Sequence, residues 1–216
     1  MIWLKVCGIT RAEDAVAACE LGYDAIGLVF AASPRHINPE QAQEICSALP
    51  SPILRVGVFA GMAGEEVGKL AEYCGLDLVQ LHDERKPGEV ASFGPRAIVA
   101  RRPRARGELE NIGDFHDAFA VLIDTWDPVL KGGTGHACDW DLAARAARLA
   151  RVILAGGLNP ANVGEAIARV NPFGVDVSSG VEMRPGVKDH ALMRDFARAA
   201  RAGAAATDEE GYHVEQ

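Results

Sequence analysis

Short apolar runs recur along the chain, separated by stretches with a different period. "IWLKVC", "DAIGLVF", "LRVGVF", "LDLVQLH", "RAIVAR", "FAVLID", "RVILAG" and "FGVDVS" are rich in Val, Ile, Leu and Phe, and their composition and length are those of strands. Between them apolar residues return every three or four positions over 11–21, 39–48, 65–74, 88–93, 108–115, 140–149, 161–170 and 190–202, which predicts helices there. Local punctuation agrees with this division. Thr10 and Glu13 have capping-box spacing, Asn38-Pro39 and Asn159-Pro160 each place a capping side chain before a proline, and Gly22 and Gly75 stand where helices should stop. Each of those glycines is followed, after one residue, by an aspartate and a strand, as in "GYDAIGLVF" and "GLDLVQLH". The unit repeats.

Eight such units in 216 residues leave about 27 residues for each, tight but within the lower range of a (β/α)8 barrel, roughly 200 residues. The expected architecture is therefore α/β, a single TIM barrel over residues 1–203, with 204–216 as a short mobile tail ending in the polar "TDEEGYHVEQ". The alternative is an open doubly wound sheet, which usually carries fewer strands or a recognisable dinucleotide loop.

Composition narrows the partners. A net charge of −8 argues against nucleic acid or an acidic membrane, because both need a basic face. An anionic ligand must then find local positive contacts, such as one arginine or the N-termini of helices. Cys7, Cys19, Cys46, Cys74 and Cys138 are odd in number and widely spread, with no CxxC pair or zinc-like His spacing, so they read as reduced thiols and no metal is expected. No apolar run approaches the roughly 20 residues that span a bilayer, and no secretory signal opens the chain. A cytoplasmic location is the expectation, with a small-molecule substrate and a monomer or homodimer as the assembly.

In a parallel barrel the ligand site lies at the C-terminal ends of the strands. Alternation puts Lys5 with Cys7, Gln80 with His82, and Leu122 with Asp124. If the apolar faces lie under the helices, those residues face the barrel interior. Each has a plainer reading. Cys7 suits a small buried hydrophobe, Asp124 a turn or cap residue, and His82 a hydrogen-bonded rim residue. Lys5 and Asp176 suit a buried ion pair between neighbouring strands.

Three loops add hints. "AASPRHINPE" sets Arg35 beyond a proline turn, where its guanidinium either holds a carboxylate bidentately or is solvated. "LAGGLNPANV" brings Gly156 and Gly157, and "VDVSSGVE" brings Ser178, Ser179 and Gly180, to the ends of strands seven and eight, the usual phosphate position in such barrels. "LKGGTGHA" at 130–137 lacks the residues that complete a nucleotide P-loop and reads as a flexible loop over the site. The basic run "ARRPRARGE" adds positive potential at the mouth or is a solvated loop, the commoner case.

Taken together, "KVCGIT", "GLVFAASPRHI", "VGVFA", "LVQLHD", "LID", "GGTG", "LAGGLNPANV" and "VDVSSGVEMRPGVKD" resemble the phosphoribosylanthranilate isomerase family of tryptophan biosynthesis, in order and over nearly the whole chain. The resemblance implies a (β/α)8 barrel that needs no cofactor or metal. It implies an intramolecular aldose–ketose isomerase catalysing the Amadori rearrangement of N-(5-phosphoribosyl)anthranilate to 1-(2-carboxyphenylamino)-1-deoxyribulose 5-phosphate. It also implies that Cys7 is the general base, Asp124 the general acid, Arg35 the carboxylate ligand, and Gly156, Gly157, Ser178, Ser179 and Gly180 the phosphate loops; Gln80, His82 and Asp176 complete the expected substrate site. Two departures stand out. Asp83 replaces the glycine common after the strand-four histidine, which places an extra carboxylate near an anionic substrate, and strand five lacks a lysine often seen there.

Rivals fit less well. A histidine-pathway sugar-phosphate isomerase would use two carboxylates and two phosphate sites, and a metal-dependent epimerase two histidines with two carboxylates. Having both Cys7 and Asp124 speaks against a silent sugar-phosphate-binding regulator. A thiol redox sensor lacks a resolving cysteine near Cys7.

Overall fold

The structure, a computed structural model, describes every residue except 51–52, 84, 125–139 and 213–216, together with all side chains outside these and 208–212. The glycine-rich loop at 130–137 and Cys138 lie outside the described residues. All eight apolar runs are strands: β1 Trp3–Cys7, β2 Ala25–Val29, β3 Leu54–Phe59, β4 Leu78–Leu81, β5 Ala97–Arg101, β6 Ala120–Asp124, β7 Val152–Ala155 and β8 Gly174–Val177. Each pairs in parallel with its neighbour in sequence, and β8 pairs back onto β1 to close the barrel. Helices α1 Ala12–Glu20, α2 Pro39–Ser47, α3 Gly64–Tyr73, α4 Pro87–Val90, α5 Trp140–Ala146, α6 Val163–Val170 and α7 His190–Tyr212 lie between and after the strands.

Alternation sorts the strand residues into two cores. Leu4, Val6, Ile26, Leu28, Val99, Ile123 and Leu154 point outward and join the helices in one cluster. Ala25, Val56, Leu78, Ile98, Ala120, Leu122 and Ile153 point inward and fill the barrel. Trp3, Phe119 and Phe173 seal its lower end, with ring centroids 5.7 to 6.0 Å apart, and the Arg151 guanidinium lies 4.1 Å above the Phe173 ring. Polar side chains therefore enter the barrel only above this apolar floor.

The repeated glycine–aspartate unit has a repeated job. Gly22 and Gly75 end α1 and α3 at φ +73° and +62°, a left-handed turn that glycine adopts without a Cβ clash. The aspartates beyond them reach back to the preceding strand: Asp24 accepts from Leu4 N at 2.8 Å and Asp77 from Arg55 N at 2.8 Å.

Several local expectations need correction. Thr10 does not cap α1; its hydroxyl donates to the Gly186 carbonyl, and Arg11 holds the cap position without a side-chain hydrogen bond. Asn38 and Gln41 form the capping box of α2 as expected. Asn159 instead caps a turn, accepting from Ala161 N at 2.8 Å, and α6 starts at Val163, with Asn162 three residues later at the cap position. The segment 108–115 contains short 3₁₀ turns, Arg106–Leu109 and Ile112–Phe115, rather than one helix. Gly107, Gly113 and Asn111 there are weak helix formers. The helix at 88–93 is the four-residue α4. Finally, α7 runs to Tyr212, past the helix end expected at 202. Ala204, Ala205 and Ala206 favour helix, Ala204 packs on the core, and a Cβ on Gly203 would come within 2.9 Å of Gly164 in α6.

A hairpin of β9 Glu182–Arg184 and β10 Val187–Lys188 follows β8. It leads into a buried clasp at the seam. Asp14 of α1, fully buried, accepts from Arg11 Nη2 at 2.6 Å, from Lys188 N at 3.1 Å and from His190 Nε2 at 2.8 Å. Although burial opposes the charge, Arg11 and His190 hold the Asp14 carboxyl below its usual value. Removing it leaves several donors without a partner, so Asp14→Ala is expected to cost about 3 kcal/mol. The folded pKa lies below an unfolded value of about 3.9, so the contribution is present above that pH and is lost as pH falls through the folded value. Urea titrations of both proteins should show a gap that is full at neutrality and closes on acidification; a gap independent of pH would contradict the account.

Candidate active site

All eight strand ends or their loops contribute to one cavity of about 430 Å³. Cys7 comes from β1, Arg35 from the loop after β2, Val58 from β3, Gln80 and His82 from the end of β4, and Arg102 from the residue after β5. Leu122 and Asp124 come from β6, Gly156 and Gly157 from the loop after β7, and Asp176, Ser178 and Ser179 from β8 and the turn that follows. Of the site residues expected from sequence, only Gly180 does not line the cavity. It sits behind the wall, so close to the β7 loop that a Cβ would fall 1.9 Å from the Leu158 carbonyl oxygen. Gly180 therefore lets loops seven and eight pack against each other. Gly156 and Gly157 turn the β7 loop at φ +92° and +65°.

The thiol stands above a buried ion pair. Lys5 Nζ donates to Asp176 Oδ2 at 2.9 Å, with the lysine fully buried and Asp176 nearly so. Burial disfavours the ammonium, yet Asp176 and Cys7 together more than offset it and hold Lys5 above its ordinary value. A Cβ on Gly27 of β2 would lie 2.7 Å from Cys7 Sγ and 3.1 Å from Lys5 Nζ, so that position stays bare to admit both. Burial pushes the Cys7 thiol up, against the pull of Lys5 and Lys188. Asp176 Oδ1 is buried and has no hydrogen-bond partner among the described residues, leaving an acceptor at the cavity for a donor on a ligand.

Across the mouth, Asp124 meets a residue that sequence reasoning set among solvated ones. Arg102 donates to Asp124 Oδ2 from Nε at 2.9 Å, and its Nη2 lies 2.7 Å from the same oxygen. The same Nη2 contacts His82 Nε2 at 3.0 Å, and His82 Nδ1 lies 3.3 Å from the Gln80 amide. Burial and Arg102 push the His82 pKa down, so the ring is neutral near pH 7. Arginine can only donate, so Nε2 accepts and the ring proton sits on Nδ1; the Gln80 amide nitrogen faces it while the buried Gln80 Oε1 has no partner among the described residues, and turning that amide end for end satisfies both. Arg102 is thus the basic residue of "ARRPRARGE" that enters the site. Strand five contributes through it in place of the missing lysine.

Arg35 is gripped from below. Its Nε and Nη2 donate to Glu182 Oε1 and Oε2 at 2.8 and 2.6 Å, and Lys188 Nζ donates to Glu182 Oε1 at 2.9 Å. Burial opposes the Glu182 charge, but Arg35 and Lys188 together hold that carboxyl down at about 2. Neither Glu182 nor Lys188 was singled out from sequence, although both stand in the quoted "VEMRPGVKD" on either side of the Pro-Gly turn. Asp83 departs from expectation in the opposite sense. It accepts from Gly61 N at 2.9 Å and Arg85 Nε at 2.7 Å, is not among the cavity residues, and so stabilises the loops outside the site.

Known proteins resemble this chain over nearly its whole length. The N-(5'phosphoribosyl)anthranilate (PRA) isomerase family matches residues 4–199. An N-(5'-phosphoribosyl)anthranilate isomerase of Pelobacter propionicus is 46% identical over 202 residues, 93% of this chain and 96% of that protein. The crystal structure of phosphoribosyl anthranilate isomerase from Thermotoga maritima superposes with a TM-score of 0.85 at 40% identity, over 94% of this chain and all of that one. A phosphoribosyl anthranilate isomerase in complex with reduced 1-(o-carboxyphenylamino)-1-deoxyribulose 5-phosphate gives 0.82 at 38% identity, with the same coverage. With the family matched from β1 into α7, this chain belongs to the N-(5'-phosphoribosyl)anthranilate isomerase family.

Proposed function

We propose that Cys7 and Asp124 are the base and acid with which this chain performs its family's reaction, the Amadori rearrangement of N-(5-phosphoribosyl)anthranilate to 1-(2-carboxyphenylamino)-1-deoxyribulose 5-phosphate in tryptophan biosynthesis. The observation that carries this reading is that the thiol of β1 and the carboxyl of β6 line one cavity together with the loops of β7 and β8. Asp124 gives its proton to the ribose ring oxygen as the C1′–O bond breaks, and the nitrogen lone pair forms a C1′=N iminium. Cys7, as thiolate, removes the C2′ proton, and that electron pair forms the C1′=C2′ bond and neutralises the nitrogen. Protonation at C1′ and loss of the enol proton then give the ketone, so the product is an isomer of the substrate.

The surroundings suit these roles and qualify them. Burial works against a thiolate, while the cationic iminium adds to the pull of Lys5 and Lys188 on the thiol proton. Acid work by Asp124 requires Arg102 to leave its carboxylate. That side chain is 58% exposed, and the substrate brings two anionic groups that can take it over. Arg35 presents the donors not used by Glu182 to the anthranilate carboxylate, and the Asp176 Oδ1 acceptor suits a substrate hydroxyl. The phosphate sits at Gly156, Gly157, Ser178, Ser179 and the turn shaped by Gly180. Among the described residues no helix is long and apolar enough to cross a membrane. Cys7, Cys19, Cys46 and Cys74 are free thiols, which supports the cytoplasmic reading.

Two predictions follow the chemistry. Cys7→Ser and Asp124→Asn should each lose about 10²–10⁴ in kcat with thermal unfolding unchanged, read from the decay of anthranilate fluorescence. Near wild-type turnover in Cys7→Ser would remove the thiolate base, and in Asp124→Asn would pass the acid role to another group, His82 first. Gly180→Ala should force the two phosphate loops apart, raise KM by about tenfold or more and weaken inhibition by sulfate; unchanged KM and sulfate inhibition would place the phosphate elsewhere.

A further inference from the structure

Lys188 is a buried charge at the seam that does not itself line the cavity. Its side chain is fully buried, and Nζ has three acceptors: the Cys7 carbonyl at 2.6 Å, the Ser178 carbonyl at 3.2 Å and Glu182 Oε1 at 2.9 Å. An ammonium has three protons, so every one has a partner. Glu182, 4% exposed, passes the contact on, since both its oxygens also grip Arg35 in a bidentate fork. Its Oε1 further accepts from Gly186 N at 3.3 Å, which ties it into the turn between β9 and β10. One buried pair thus touches the ends of β1 and β8 and the loop after β2.

We infer that the Glu182–Lys188 pair is the positioning centre of the active site, fixing at once the backbone that carries the thiol, the turn that starts the phosphate loop and the guanidinium that takes the substrate carboxylate. The inference rests on the assignments made above for Cys7, Ser178 and Arg35. Buried ion pairs of this kind contribute little net stability compared with apolar packing, whereas a guanidinium held by a carboxylate on one edge presents its other edge in a fixed direction. Glu182 lies on the hairpin and touches no substrate-facing surface except through Arg35, so it acts by placement. Lys188 also faces the thiol as a charge, alongside Lys5, Asp176 and Arg35.

The two functions separate by variant. Glu182→Asp keeps the charge but shortens the reach, so the fork to Arg35 opens. KM should rise about tenfold or more while kcat changes far less, and Arg35→Lys added to it should cost less than Arg35→Lys alone in the wild-type background. Lys188→Met keeps length and removes the charge. Alkylation of Cys7 by iodoacetamide, followed on its own peptide by mass spectrometry, should then shift to a higher pH midpoint. A wild-type KM in Glu182→Asp, additive effects with Arg35→Lys, or an unmoved alkylation midpoint in Lys188→Met would each overturn the inference. Should Lys188→Met fail to fold, Glu182→Asp decides alone. The alkylation midpoint reports the thiol whether or not it is the base, so a fully active Cys7→Ser would refute the base assignment without altering this result.

Discussion

Closing an eight-stranded parallel sheet forces the last strand against the first, and in this chain the buried charges are concentrated on that seam. Lys5 of β1 meets Asp176 of β8 at 2.9 Å, Lys188 joins the Cys7 and Ser178 carbonyls, and Asp14 of α1 takes the Lys188 backbone and His190 at the start of α7. The seam is also where the thiol stands. A residue drawn from position 7 is held by one from position 188, 181 residues along the chain, and this contact exists only when the barrel is closed. Folding and assembly of the site are therefore one event. In an open or partly closed sheet Lys188, Glu182 and Lys5 would face water instead of one another's partners, and the cavity they shape would not exist.

The cavity divides by charge around this seam. On the β1–β8 side Lys5, Lys188 and Arg35 surround the thiol and favour its anion against burial. On the far side Asp124 faces a neutral His82 and Arg102. A positive neighbourhood at both walls suits a substrate with a phosphate and a carboxylate, and it arises locally in a protein whose net charge is −8. Asymmetry between the two walls suits the proposed division into base and acid: beside Cys7, Lys5 and Lys188 are buried and Arg35 is held by Glu182, while Arg102 beside Asp124 is exposed enough to move.

Much of this was legible in the chain. Every barrel strand followed from apolar runs, though the hairpin of β9 and β10 did not, and alternation sorted Lys5, Cys7, Gln80, His82 and Asp124 to one face that proved to be the interior. The glycine–aspartate repeat marked real boundaries because its contacts reach only from one strand to the next. What failed depended on distant partners. Thr10 looked like a cap but is taken by Gly186, and Asn159 caps a turn rather than α6. Arg102 looked solvated because its partner Asp124 lies on the next strand, 22 residues away. Nothing in the sequence marked Glu182 and Lys188, because their partners Arg35 and Cys7 lie at the other end of the chain. The thiol shows the limit most clearly: its position could be read from the pattern, but that burial would raise its pKa could not.

The division of labour between Cys7 and Asp124 can be tested by the isotope effect of substrate deuterated at C2′, measured in single turnovers of Cys7→Ser and of Asp124→Asn. If the thiol removes the C2′ proton, its loss makes that step limiting and Cys7→Ser should show a full primary isotope effect. Loss of the acid makes ring opening limiting, so Asp124→Asn should show almost none. The reverse pattern, or equal effects in the two variants, would contradict the assignment of base and acid.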